Sequence, residues 1–330
     1  MAEHAHTHHP GSRVVRWGSI FLLLAAAAGT VAAAWPVIHD RLPLRSASTA
    51  PKAPPIPHLS PFHAQVAATG TVSGAQAMVA RGATLWMLRS DGKHPVQLVR
   101  YSAHALRPVG GTISLRRADA PPLRLATGHT GVYLRSATGV QRVDGHALVD
   151  VTSSSLPRAL LLSLSGAVGF DRAWTTDGHR LYERNPGSSA PTKVAIPRPV
   201  GASAESFVPA SAQPVVLDGR LWVPQAVGAG KHRIAQLQPL TPAGHFGGRP
   251  VGLGRGRAVL ALVSVHRLWV VVSRSPHSVL YQVNPLTGRV MRTTALPRSF
   301  APVDGAATGR ALWLAEDAAR GAIVRVSLTR

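Results

Sequence analysis

The sequence predicts an all-β fold: a six-bladed β-propeller preceded by a single N-terminal transmembrane helix (or signal peptide) and a Pro-rich linker. Three observations predict it. An aromatic motif recurs six times at intervals of 41 to 48 residues. An uncharged run of 22 residues lies near the N-terminus, and a Pro-rich stretch separates that run from the repeats. The chain has 330 residues, 45% of them hydrophobic and 15% charged. That balance suits a folded core rather than a disordered chain. The absence of Cys excludes a disulfide scaffold, a Cys-ligated metal, a Cys nucleophile and a Cys-borne lipid anchor.

Residues 1–16 read as a cytoplasmic His-rich tail. His4, His6, His8 and His9 have the donor atoms to chelate a divalent transition metal, but no rigid frame fixes them, so a flexible tail is the plainer reading. Residues 17–38 form the uncharged run. At 1.5 Å per residue a helix of this length spans about 33 Å, enough for a bilayer core of about 30 Å. Trp17 and Trp35 stand near its ends, where indoles favour the interface, and Arg13 and Arg16 precede it, which keeps the N-terminus cytoplasmic. The competing reading is a signal peptide with its apolar region at Ile20–Ala28 and a cleavage site at Ala32-Ala33-Ala34. Either one places the rest of the chain outside the cytoplasm. Residues 39–63 carry Pro43, Pro51, Pro54, Pro55, Pro57 and Pro61, which favours an extended stalk.

Residues 64–330 carry the repeat. The motif is Leu85-Trp86-Met87-Leu88, Ala173-Trp174-Thr175, Leu221-Trp222-Val223, Leu268-Trp269-Val270-Val271 and Leu312-Trp313-Leu314, with Tyr in one copy, Gly131-Val132-Tyr133-Leu134. The aromatics are spaced by 47, 41, 48, 47 and 44 residues, the length of a propeller blade. Turn signals follow in phase at Ser90-Asp91-Gly92, Ala137-Thr138-Gly139 and Thr176-Asp177-Gly178. Alternating strands come next, as in Pro95–Tyr101 and Val279–Val283, and then Asn185-Pro186-Gly187, Gln238-Pro239-Leu240-Thr241 or Asn284-Pro285-Leu286-Thr287-Gly288 as turns. No sustained helical period follows residue 63, and the short apolar run 159–164 reads as an inner strand. Two β-sandwiches are the alternative, but they do not require one aromatic per blade length in the same strand.

The pattern of Leu-Trp-x-Val followed by Val-Asn-Pro-x-Thr-Gly, best seen from Leu268 to Gly288, resembles the repeats of the YVTN, NHL and quinoprotein-like propellers. The resemblance covers residues 64–330, though blades 1, 2 and 6 lack the Asn-Pro turn. It implies a fold and selects no family with one activity. Ring closure follows from lengths. Only 17 residues remain after Trp313, room for one more strand, so residues 64–72 are expected to supply the outer strand of the last blade by pairing with Ile323–Leu328.

The sequence assigns no catalytic residue, no metal ligand set and no cofactor. It holds no phosphate-binding loop, zinc-protease motif, EF-hand loop or nucleophile elbow, and Gly252-Leu253-Gly254-Arg255-Gly256 does not open a helix. Asp91, Asp144, Asp177, Asp218 and Asp304 belong to Asp-Gly pairs and read as turn formers. Asp171, Glu205 and His266 are the remaining candidates for a metal, each with a structural role as the first reading.

The positive signal is charge. Residues 64–330 hold 31 Lys and Arg against 12 Asp and Glu, a net of +19. In a propeller every loop after the second strand of a blade falls on one face. Those loops carry the candidate ligand-binding residues Lys93, His94, His179, Lys231, His232, Arg233, Arg274, His277 and Arg320, with Arg180 beside them, and also Asp91, Asp177, Glu316 and Asp317. A basic face would concentrate anions near the surface, whereas arginines that merely solubilise the surface are the plainer reading. The expected role is therefore a membrane-tethered, non-catalytic binding or scaffold module for an envelope component, an anionic polymer or an acidic protein. The alternative is a metal-dependent lyase or lactonase with its site at the central channel. Nucleic acid is disfavoured by the few aromatics, the lack of a known motif and the compartment.

Overall fold

The computed structural model describes residues 59–72, 74–90, 95–115, 123–176, 180–185, 190–194, 213–228, 232–274, 276–316 and 321–330. The Trp17–Ile38 run and most of the Pro-rich stretch lie outside these residues. Among the described residues no helix is long and apolar enough to cross a membrane.

The strands form six four-stranded antiparallel sheets. β1 (His63–Thr71) comes first in the chain and joins the last sheet. Blade 1 follows with β2 (Ala75–Arg81), β3 (Thr84–Arg89), β4 (Gln97–Ser102) and β5 (Ile113–Ser114). Blade 2 has β6 (Arg124–Gly128), β7 (Gly131–Arg135), β8 (Val140–Asp144) and β9 (Ala147–Val151). A short helix, α1 (Arg158–Ser163), leads to blade 3, with β10 (Ala167–Gly169), β11 (Arg172–Thr176), β12 (Leu181–Arg184) and β13 (Thr192–Val194). Blade 4 has β14 (Val215–Leu217), β15 (Arg220–Val227), β16 (Ile234–Leu240) and β17 (Val251–Arg255). Blade 5 has β18 (Arg257–Ser264), β19 (Arg267–Ser273), β20 (His277–Val283) and β21 (Val290–Arg298). Blade 6 has β22 (Pro302–Thr308), β23 (Ala311–Glu316) and β24 (Ala322–Thr329). Within each blade the strands pair in chain order, and β2 packs against β6 and β22, β22 against β18, β18 against β14 and β14 against β10. The first strands thus form the inner wall of a ring.

The repeated aromatic explains why six sheets stay together. Each occupies the second strand of its blade: Trp86 in β3, Tyr133 in β7, Trp174 in β11, Trp222 in β15, Trp269 in β19 and Trp313 in β23. The indoles of Trp174, Trp222 and Trp269 donate to the carbonyls of Gly169, Leu217 and Ser264, always five residues back across the first hairpin. That bond satisfies the polar edge of a buried ring. The rings are shared between sheets. Trp222 packs with Leu268 and Val270 of blade 5, Trp269 with Leu312 and Leu314 of blade 6, and Trp174 with Leu221 and Val223 of blade 4. Trp313 departs from the bond pattern, donating to the Ala103 carbonyl of blade 1 at 2.9 Å. Trp86 is only partly buried, with the Arg100 guanidinium 5.4 Å from its ring.

Residues 64–72 close the ring as expected. β1 pairs antiparallel with β24 from His63↔Thr329 to Thr71↔Ala322. The residues just before β1 dock as well. Phe62 is buried among Trp269, Leu312 and Leu328, its N–H donates to Gln282 Oε1 at 3.1 Å, and Arg267 Nη2 donates to the Ser60 carbonyl.

The run 159–164 corrects the sequence reading: it lies in α1 and its C-cap, not in an inner strand. Pro157 presets the first turn, and Ala and Leu are strong helix formers. Leu160 and Leu164, four residues apart, present one face to Ala126, Tyr133 and Val140. The blade that carries Tyr instead of Trp is the one whose aromatic meets a helix instead of the next sheet. A second correction concerns Gln238-Pro239-Leu240-Thr241, where β16 continues to Leu240 and the turn begins at Thr241, whose carbonyl accepts from Gly244 N–H.

Candidate functional site

An antiparallel four-stranded blade sends its second-to-third connection and its exit to the next blade to the same face. Those of the predicted binding residues that are described lie on that face. Arg180, His232 and Arg274 are exposed there, Arg233 is partly buried, and His277 opens β20 with its ring partly buried. Lys93, His94, His179, Lys231 and Arg320 lie outside the described residues. The sheet topology sends the described parts of these connections to one face.

The opposite face is not acidic. Arg107, Arg220, Arg249, Arg289 and Arg310 sit in or beside its connections, four of them exposed and Arg220 partly buried. The turn residues proposed as metal candidates also belong there. Asp171 and His266 occupy the first hairpins of blades 3 and 5 with φ of 57° and 55°, so their backbones make the turn. Glu205 lies outside the described residues. Asn284, in the turn between β20 and β21, accepts from Leu286 and Thr287 N–H, as a turn former does. Among the described residues no three His, Asp or Glu side chains gather as metal ligands would.

Asp304 is the residue the sequence misplaced. Its Asp-Gly pair is not a turn: both residues are in β22, the inner strand of blade 6. A bulge at Val303 interrupts the register between Pro302 and Asp304. Next to it the Asp304 carboxylate accepts from Met78 N–H on β2 at 2.6 Å, tying the last blade to the first. Although the residue keeps some exposed surface, its carboxyl is desolvated. Burial pushes it up from the ordinary 3.8 to about 7, against the opposing pull of the Gly305 and Met78 N–H groups and of Arg124.

Arg124 opens β6, directly paired with Arg135 at the end of β7. Burial lowers both guanidinium pKa values, and neighbouring positive charge lowers them further, Arg135 acting on Arg124 and Arg184 on both. Asp304 partly offsets this at Arg124; among the described residues no carboxylate lies within ion-pair distance of either arginine. Sequence reasoning missed these arginines because none carries a motif; they are ordinary strand-end residues until the blades come together.

No protein-family model matches the chain, and no curated protein matches it. Solved structures similar to it include the PQQ-bound aldose sugar dehydrogenase from Streptomyces coelicolor, at 13% identity and a TM-score of 0.45, over 81% of this chain and 98% of that one. BamB from Moraxella catarrhalis is similar at 12% identity and a TM-score of 0.38, over 78% of this chain and 85% of that one. The WD40 domain of Toxoplasma gondii coronin is similar at 11% identity and a TM-score of 0.47, over 83% and 88%. The fold itself stands on this chain's own six sheets. The chain is a six-bladed propeller that fits the loose propeller-repeat class and no specific family.

Proposed function

We propose that the chain is a membrane-tethered, extracytoplasmic propeller that binds an envelope component and carries out no catalysis. The observation that supports it most is the placement of Arg180, His232, Arg233 and Arg274 in connections of one face, with His277 at the start of the strand that follows, within a domain of net charge +19. A rigid ring with variable loops is suited to holding a partner. Charge of this sign selects an anionic envelope polymer or an acidic protein surface. Each exposed pair contributes about 1 kcal/mol or less, so binding is multivalent and weakens steeply with salt. The tether is the Trp17–Ile38 run, with Arg13 and Arg16 holding its N-terminal side in the cytoplasm. The test is retention of envelope material by the immobilised full chain at low and high salt. An acidic polymer or protein held at low salt and released at high salt is the expected result; no retained material, or retention indifferent to salt, contradicts it.

A further inference from the structure

We propose that the cavity between blades 2 and 3, beside α1, binds a phosphate-type dianion borne by a small organic molecule. The cavity adjoins the β7–β8 connection of the loop face, but its arginines are not among the residues of that reading, and the proposal does not depend on it.

The cavity exists because of the local departure from the repeat. Tyr133 replaces Trp, α1 packs against it, and the helix also packs against β6 of blade 2 and β10 and β11 of blade 3. The space left beside the β7–β8 turn has a volume of about 350 Å³. That is near the lower end of the roughly 300–1,000 Å³ typical of small-molecule sites, too small for a polymer and ample for a phosphomonoester.

Its polar lining is of one sign. Arg135 reaches it from the end of β7, Arg158 from the first residue of α1 and Arg184 from the end of β12, with Ser153 and Asn185 beside them; among the described residues no Asp or Glu lines it. Among the described residues no carboxylate lies at ion-pair distance from any of the three arginines. Arg135 and Arg184 are partly buried and their like charges oppose one another, a repulsion that an anion between them relieves; Arg158 is exposed at the same cavity. The depressed pKa of Arg135, caused by burial and then by Arg184, records the same lack of compensation.

One arginine is held in place. Arg135 Nη1 donates to Ser165 Oγ at 2.5 Å, and that hydroxyl donates in turn to the Leu161 carbonyl of α1 at 3.0 Å. Only one of its five N–H groups is used in this bond, which anchors the guanidinium to α1 through Ser165. A planar fork matches tetrahedral oxyanions through paired hydrogen bonds, which a lone ammonium does not. Leu161, Leu162 and Leu164 supply an apolar wall for the organic part of the ligand. The dianion itself is common to free phosphate and to its monoesters, so the test includes both.

Calorimetric titration of the full chain in mild detergent, with inorganic phosphate, glucose 6-phosphate, glucose and sodium chloride at matched ionic strength, decides the matter. One-site saturable binding of phosphate or of the monoester, without binding of glucose or chloride, is expected; tighter binding of the monoester identifies the ester and tighter binding of phosphate the free ion. Arg135→Gln and Arg184→Gln should each weaken it at least about tenfold, as loss of a charge-assisted bond does. Arg289→Gln, on the opposite face, should leave it unchanged. Should Arg135→Gln fail to fold, the exposed Arg158→Gln replaces it with the same expectation. No saturable binding, or binding that the cavity substitutions leave intact, overturns the proposal.

Discussion

Asp304 is a carboxylic acid placed where its charged form is poorly solvated, and the bond it accepts from Met78 N–H joins the first and last blades. In the unfolded chain it ionises near pH 4, and in the native chain at about 7. Between those values the native state holds a proton that the unfolded state has released. Stability therefore falls as pH rises from about 4 to about 7 and this contribution is flat above. Asp304→Asn keeps an acceptor for Met78 N–H and cannot ionise. Its melting temperature should exceed that of the unaltered chain at pH 8, by a difference that shrinks on acidification and vanishes near pH 4. Parallel curves at all pH values would show that the carboxyl is not desolvated. This role was not legible beforehand, because Asp-Gly is a turn signal and here it sits next to a β-bulge in an inner strand. Asp218-Gly219 shows the signal working, with φ of 51° and 71° in the β14–β15 hairpin.

The elements that were legible are those whose burden is local. The second strand of each blade announces itself through one aromatic, since only a large ring fills the wedge between sheets. Trp222→Ala should cost about 3–5 kcal/mol in denaturant unfolding, the range for large aromatic cavities. Trp86→Ala should cost the least of the five Trp, because its ring is partly exposed. Equal losses at both sites would contradict sharing of the rings between sheets. β1 was legible from a shortage of residues at the other end of the chain. A chain beginning at residue 73 leaves β24 with an unpaired edge and should melt at a clearly lower temperature; an unchanged melting temperature would show that β1 adds nothing. By contrast α1 was missed. Its run is six residues long, below the length at which helical and strand periods separate, and its helix is decided by Tyr133 and the gap beside it. The arginine-lined cavity was invisible for the same reason, since it is created by that gap.

For the whole molecule, the tether and the basic face make separate predictions. An alkaline phosphatase fused after Arg330 should be active if the propeller is extracytoplasmic, and a stable but inactive fusion would reverse the topology. Binding by the loop face competes with a simpler possibility, that the net charge of +19 acts without regard to position. The presence of Arg107, Arg220, Arg249, Arg289 and Arg310 on the opposite side makes the comparison direct. The decisive measurement is the salt concentration at which an anionic resin releases two charge-reversed full chains. One carries Glu at Lys93, Lys231, Arg233, Arg274 and Arg320, and the other carries Glu at the five arginines of the opposite face. Loss of retention in the first with near-normal retention in the second is the predicted result, and equal loss in both would contradict a binding face.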